Sequence, residues 1–165
     1  MAGSRALRKL QFGTEGTAGT PVAATALWRG MGTIKDNREV VFPQEDVGYL
    51  GGTTRSYIAR NWSELSLDSV EATFEQVGYI FQSGINTATA SADGTGCGYI
   101  YRHVARPTAQ NAFTTFTIEG GDGQQAEEFD YAFVRQFNLS GDGQGAMMIS
   151  AEFVGREASN STFTT

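Results

Sequence analysis

The chain has 165 residues, 17.7 kDa, with 40% apolar residues, 21 glycines and only 3 prolines. That is one domain's length with material for a real core, and glycine at about twice its usual ~7% without proline excludes collagen-like and Gly/Pro-disordered classes. No apolar run approaches the ~18 residues of a membrane helix. The 12 basic and 18 acidic residues give a net charge of −6, unevenly spread: the first 39 residues hold six basic and three acidic side chains, the remainder six and fifteen. An acidic body argues against tight nucleic-acid binding, which draws on Lys and Arg neutralising phosphates. The lone Cys97 forbids an intrachain disulfide and fits a reducing compartment. The start of the chain carries no apolar signal-peptide segment, so the Asn-x-Ser/Thr triplets at Asn61, Asn138 and Asn160 read as chance.

In chain order, residues 1–20 alternate weakly and run into a Gly/Thr stretch, which predicts a basic N-terminal arm. Short apolar runs at 23–28 and 33–42 predict two strands, the second closed by Pro43. Residues 44–56 form a glycine-rich loop that carries Tyr49 and Leu50, and a long loop with such anchors is expected to touch something. Period-two alternation over 57–68 predicts a half-buried strand. Thr73-Phe74-Glu75-Gln76 then reads as a capping box opening a helix over 74–83, with Phe74, Val77, Phe81 and Ile85 as its apolar stripe. Strand signals resume at 99–104, 112–119, 126–139 and 146–155, a β-meander whose reversals share the tetrapeptide Gly-Asp-Gly-Gln at 121–124 and 141–144. In the long strand Phe129, Tyr131 and Phe133 share one face and Glu128, Asp130 and Ala132 the other; a phase change after Val134 predicts a bulge. Residues 157–165 read as a polar tail.

No group of residues assembles an active site or implies a cofactor. His103 stands in a strand pattern without a partner at ligand spacing, and Cys97 lies among glycines without a base or helix terminus to activate it. Gly141-Asp142-Gly143-Gln144-Gly145 lacks the Lys-Ser/Thr and following helix of a phosphate loop. Asp122 and Asp142 lack the alternating acidic ligands of a calcium loop. Glu127, Glu128 and Asp130 are the densest carboxylates; neighbours in a strand point to opposite faces, so an acidic, lumen-facing surface fits them better than an acid/base pair. A basic arm, an anchored loop, an acidic meander and a final strand apolar on both faces describe a subunit that polymerises.

The runs Phe116-Thr117-Ile118-Glu119-Gly120-Gly121-Asp122, Gln125-Ala126-Glu127-Glu128-Phe129-Asp130-Tyr131, Phe137-Asn138-Leu139-Ser140-Gly141 and Met148-Ile149-Ser150-Ala151-Glu152-Phe153-Val154-Gly155-Arg156 resemble the tail tube, or major tail, proteins of long-tailed bacteriophages (siphophages). The likeness includes residues 7–16 and 73–84. It implies a β-sandwich or barrel with one flanking helix: an arm over 1–20, a tube domain over 21–156 and a tail over 157–165. It also implies a non-enzymatic virion protein stacked as hexameric rings, made in the host cytoplasm, with an acidic channel through which DNA passes unbound. Partners implied are further copies of the chain, a tape-measure protein, and tail terminator and distal tail proteins; no membrane is involved. By position, Arg5, Arg8, Lys9, Tyr49 and Leu50 are the inter-ring contact candidates and Glu127, Glu128 and Asp130 the lumen-facing ones. The alternatives are the tube of a contractile injection system of the type VI secretion kind and a monomeric carbohydrate-binding β-sandwich using Trp28, Trp62 or Tyr49. A hydrolase using His103 and Cys97 is a third.

Overall fold

The computed structural model describes residues 7–46, 48, 50–51, 55–94, 96–106 and 108–164. Among them eleven strands and one helix follow one another: β1 (Lys9–Thr14), β2 (Ala26–Leu27), β3 (Gly32–Val41), β4 (Tyr57–Leu67), β5 (Val70–Glu71), α1 (Phe74–Gly84), β6 (Ser91–Ala92), β7 (Tyr99–Ile100), β8 (Phe116–Gly121), β9 (Ala126–Ser140), β10 (Met148–Gly155) and β11 (Ser159–Ser161). The pairing is antiparallel throughout, in the order β2-β1-β8-β9-β10-β4-β3, with β5 beside β10 and β11 beside β9, while β6 and β7 make a separate hairpin. The expected mainly β sandwich with a single flanking helix is the fold observed.

β9 is the strand on which the sheet turns. Its first half pairs with β8 and its second with β10, and the register shifts in both ladders, opposite Phe116–Ile118 and again at Glu152–Phe153. Between them Tyr131 takes φ +54°, the left-handed region an aromatic residue rarely enters. An extra residue in one strand bends and twists it, and here the bend brings the two halves of the sheet face to face. The Phe12 ring of β1 packs 5.6 Å from Phe153 of β10, and Phe116 of β8 lies 6.4 Å from the same ring. Leu65, Ile80, Ile118, Phe129 and Ile149 complete the core.

The bulge also moves side chains between faces. Simple alternation groups Phe129 with Tyr131 and Phe133, yet the buried positions are Ala126, Phe129, Ala132 and Val134, because the extra residue at the bend breaks the period of two. Tyr131 and Phe133 instead meet edge to face outside the core, with Phe113 against Phe133.

The expected arm over 1–20 is not an arm from Lys9 onward. Leu10 and Phe12 of β1 are core residues, and six register pairs join β1 to β8. Residues 15–28 then return past β1: Val22 donates to the Thr117 hydroxyl (3.0 Å), and along the edge of β1 Thr25 donates to the Phe12 carbonyl (2.9 Å) and Trp28 to the Leu10 carbonyl (2.8 Å). Gly13 is required where they cross, since a Cβ there would sit 2.8 Å from the Ala23 carbonyl oxygen. The far end of the chain folds back likewise, β11 adding to β9 within the expected polar tail. Residues 1–6, including Arg5, lie outside the described residues.

α1 runs one residue beyond the expected 74–83, and of the expected stripe Val77 and Phe81 pack against the core while Phe74 is fully exposed; the face buried most deeply is that of Gln76, Ile80 and Ser83. The capping box does not form either: Thr73 makes no cap hydrogen bond. Gln76 is committed elsewhere; in the orientation that satisfies both ends of its amide, it accepts from Arg29 N–H (2.9 Å) and donates to the Glu71 carbonyl (3.3 Å) and the Thr73 hydroxyl (3.1 Å). The signal at 99–104 yields a strand only at 99–100, and that at 23–28 only at 26–27.

The two Gly-Asp-Gly-Gln reversals adopt one solution. Asp122 Oδ1 accepts from the amides of Gln124 (2.9 Å) and Gln125 (3.1 Å), and Asp142 Oδ1 from those of Gln144 (3.0 Å) and Gly145 (2.6 Å). Such side-chain caps fix the reversal and thereby the register of both hairpins. The amides of Gln124 and then Gln125 hold the Asp122 carboxyl below its ordinary range, because hydrogen bonds to the ionised form favour it.

Candidate assembly surfaces

Two regions carry the features of a surface built for contact. The first is the outer half of the β3–β4 hairpin. Val40 pairs with Ile58 and Val41 with Tyr57, and residues 57–61 are exposed in succession. A strand packed on one face hides every second side chain; an unbroken exposed run means that neither face is covered. Phe42 (62% exposed), Tyr57 (56%) and Ile58 (51%) cluster at this end, and Leu50 of the following loop is fully exposed. A two-stranded ribbon without a packed face is marginal alone in water. Its ion pairs, Arg60 with Glu39 and Arg38 with Asp36 (2.7 Å), are exposed and therefore weak. Tyr49 lies outside the described residues, so of the loop's two expected anchors only Leu50 can be placed.

The second region is the outer face of β1, β8 and β9. Gln11, Glu119 and Glu128 stand opposite one another across three strands, with Ser159 of β11 beyond them. Segment 159–164 closes over this row. Ser161 donates to Glu128 (3.3 Å), Thr164 donates to Glu119 through its amide (2.8 Å) and hydroxyl (2.5 Å), and the Phe163 ring lies 4.4 Å from Lys9 Nζ. Glu119 is only 1% exposed.

The predicted site residues therefore separate. Arg8 lies beside the groove between the start of β3 and the β8–β9 turn, and Lys9 is engaged by Phe163. Asp130 forms an ion pair with Arg156 (3.0 Å) and is largely covered, and Glu128 sits beneath Ser161. Glu127 accepts no hydrogen bond from a side chain among the described residues and lines the grooves on either side of β3. The three carboxylates thus do not form one open patch.

Another carboxylate, Glu15, which falls in the arm expected from the sequence, is the best-partnered acid among the described residues. It is buried and accepts from the Gly19 amide (2.7 Å), the Thr115 hydroxyl (2.6 Å), the Thr117 hydroxyl (3.1 Å) and the Tyr131 amide (2.8 Å). It pins the left-handed residue of β9 to β1 and β8. No sequence signal marks it, since three of its partners lie about 100 or more positions away. The consecutive apolar residues Val40-Val41-Phe42 and Tyr57-Ile58 are the readable signal for the ribbon.

Of the aromatics named for a carbohydrate site, Trp28 is buried in the core, Trp62 is half-buried beneath Arg60 with its Nε1 donating to Glu64 (3.2 Å), and Tyr49 lies outside the described residues. His103 packs edge-on against Phe81 with its Nδ1 2.8 Å from the Asn86 carbonyl oxygen, and exposed Cys97 lies on the β6–β7 connection. Among the described residues no cluster of three metal-ligating side chains occurs.

The fold is shared with chains of solved tailed particles. A chain from the virion of the native gene transfer agent particle superposes with a TM-score of 0.53 at 10% identity, covering 98% of this chain and 100% of that one. A chain from the tail of the empty gene transfer agent particle, solved with C6 symmetry, gives 0.51 at 11% identity over 94% and 96%. The SPP1 tail tube gives 0.43 at 10% identity over 95% and 79%. No family model and no curated protein matches the sequence.

Proposed function

We propose that this chain is a non-enzymatic structural protein of a phage-type virion tail, polymerising as stacked hexameric rings into a tube through which DNA passes. The observation that carries this reading is the β3–β4 ribbon, apolar at its end and uncovered on both faces, on a fold shared over 94% of the chain with a chain of a gene transfer agent tail. Covering Leu50 against a neighbouring copy gains about 1.5–3 kcal/mol, and covering Phe42, Tyr57 and Ile58, already about half covered, gains roughly half as much each, a contribution repeated at every contact of the polymer. Arg5 and Arg8 are the candidates for a separate contact, with a neighbour's acidic surface. The channel is acidic in this reading, with Glu127 and Glu128 as its candidate carboxylates, while Asp130 serves to anchor Arg156. Tape-measure, tail terminator and distal tail proteins are the partners the assembly requires.

The test is a double substitution, Phe42→Ser with Ile58→Ser, assayed by pelleting and sedimentation velocity. Both side chains are more than half exposed, so the variant is expected to unfold within about 1 kcal/mol of the parent yet stay monomeric at concentrations where the parent polymerises. Polymerisation equal to the parent's would refute the role given to the ribbon.

A further inference from the structure

We propose that Glu157 clamps the root of the β3–β4 ribbon and aims its apolar end, so that the free chain already presents the ribbon in the orientation the polymer uses. The inference rests on the polymeric reading above and goes beyond it by assigning a positioning residue outside the contact surface itself.

The face of β3 and β4 that carries the core changes character along the ribbon. Ile34, Asp36 and Arg38 follow one another on that face of β3, opposite Leu65, Ser63 and Asn61 of β4. Ser63 is also the last residue of β4 to be paired with β10, opposite Gly155, so from Asn61 outward the ribbon has no third strand. Glu157 reaches across at that level. One carboxylate oxygen accepts from the Asn61 side-chain amide, and the other pairs with the Arg38 guanidinium at 3.3 Å. Arg38 and Asn61 are register partners, so a single carboxylate holds both strands at one level. Among the described residues, these are the only side-chain bonds that join 37–41 and 57–62 to anything outside β3 and β4.

The clamp stands on a fixed post. Before it, the Arg156 amide donates to the Asp130 carbonyl (3.0 Å), and the Arg156 guanidinium to the Asp130 carboxylate (3.0 Å) and the Gly19 carbonyl (2.9 Å). After it, Ala158 packs against the core. Arg38 is aimed in turn by Asp36, which accepts from its Nε at 2.8 Å. Groups already held in place lose little freedom when they pair. These bonds are exposed and add little to the stability of the fold. Orienting the ribbon asks for less. Val41 lies five residues beyond Asp36, roughly 17 Å at the rise of a strand. A swing of about 10° at the root would carry it about 3 Å, most of the ~4–4.5 Å span of an apolar contact. Small restraints at the root therefore decide whether the apolar end meets its seat on a neighbouring copy.

The experiment places nitroxide labels at Ala59→Cys, exposed on β4, and Glu75→Cys, exposed on α1, in a Cys97→Ser background. Double electron–electron resonance on dilute monomer reads their separation. Glu157→Ala is expected to broaden the distance distribution at least twofold, and Glu157→Gln, which keeps one acceptor oxygen, to fall between it and the parent. All three are expected to unfold at the same urea midpoint; a lower midpoint for Glu157→Ala would overturn a positioning role in favour of a structural one. In pelleting assays of the unlabelled chains, Glu157→Ala is expected to raise the lowest polymerising concentration by about three- to fivefold. An unchanged distance distribution would overturn the clamp, and a broadened one with an unchanged polymerising concentration would overturn its part in assembly. A parent that never polymerises would overturn the tube reading, while the distances on monomer would still decide the clamp.

Discussion

Replacing Glu15 with Ala isolates the contact that sets the bend of β9. The carboxylate accepts four hydrogen bonds, two from hydroxyls that can turn to other acceptors and two from the fixed amides of Gly19 and Tyr131. A donor stripped of its partner costs about 1–3 kcal/mol; the two amides are part-buried and lie at the low end, and the two buried hydroxyl bonds to the carboxylate add about 1 kcal/mol each, which gives about 4 kcal/mol in all. Tyr131 is held at φ +54°, a conformation that itself costs about 1–3 kcal/mol and persists only while its surroundings enforce it. A chain of this size has roughly 8–15 kcal/mol of total stability, so the variant should fold and lose a large share. Urea unfolding followed by circular dichroism measures the difference; the melting temperature should fall by about 8–16 °C at 2–4 °C per kcal/mol. Glu15→Gln should fall in the same direction, since the carboxamide turns donors toward donors. Glu75→Ala, which removes an exposed pair with Arg29 at 3.4 Å, should change stability by less than about 0.5 kcal/mol. A loss below about 1 kcal/mol for Glu15→Ala would refute the claim that this carboxylate holds the bend.

Two further predictions test the local readings. Ile80→Ala should cost about 2–5 kcal/mol, whereas Phe74→Ala, fully exposed at the start of α1, should cost under about 0.5 kcal/mol; equal effects in urea unfolding would contradict the assigned helix face. The Asp122 carboxyl, depressed by the Gln124 and Gln125 amides, should titrate below its ordinary value of 3.8 in carbon-detected nuclear magnetic resonance. Because the folded value is the lower one, its contribution is fully present above the ordinary value and is lost as pH falls through the folded value; titration at or above the ordinary value would contradict the turn geometry.

Local periodicities are readable in the sequence, and long-range contacts stay hidden. β3, β4, α1, β9 and β10 lie within two residues of where hydrophobic alternation, turn residues and helical spacing put them, because each is decided by neighbours within a few positions, and β8 begins four residues later than expected. β1 reads as an arm because Leu10 and Phe12 alternate with Lys9 and Gln11 beside a glycine-rich stretch; only pairing with β8, more than 100 positions away, makes it a core strand. Face assignments in β9 fail at Tyr131 for the same reason: the bulge is stabilised by Glu15 from a distant segment. The acidic candidates stand out by density, and density does not report that Arg156 and Ser161 fold back onto Asp130 and Glu128.

Self-assembly into a tube is the central claim. Electron cryomicroscopy of the purified chain, concentrated in steps and checked for monomer at each, measures it directly. The prediction is hollow tubes of stacked rings, with the β3–β4 ribbon of each copy buried against a neighbour. A chain that stays monodisperse at every concentration, or assembles with Phe42, Tyr57 and Ile58 still facing solvent, would contradict it.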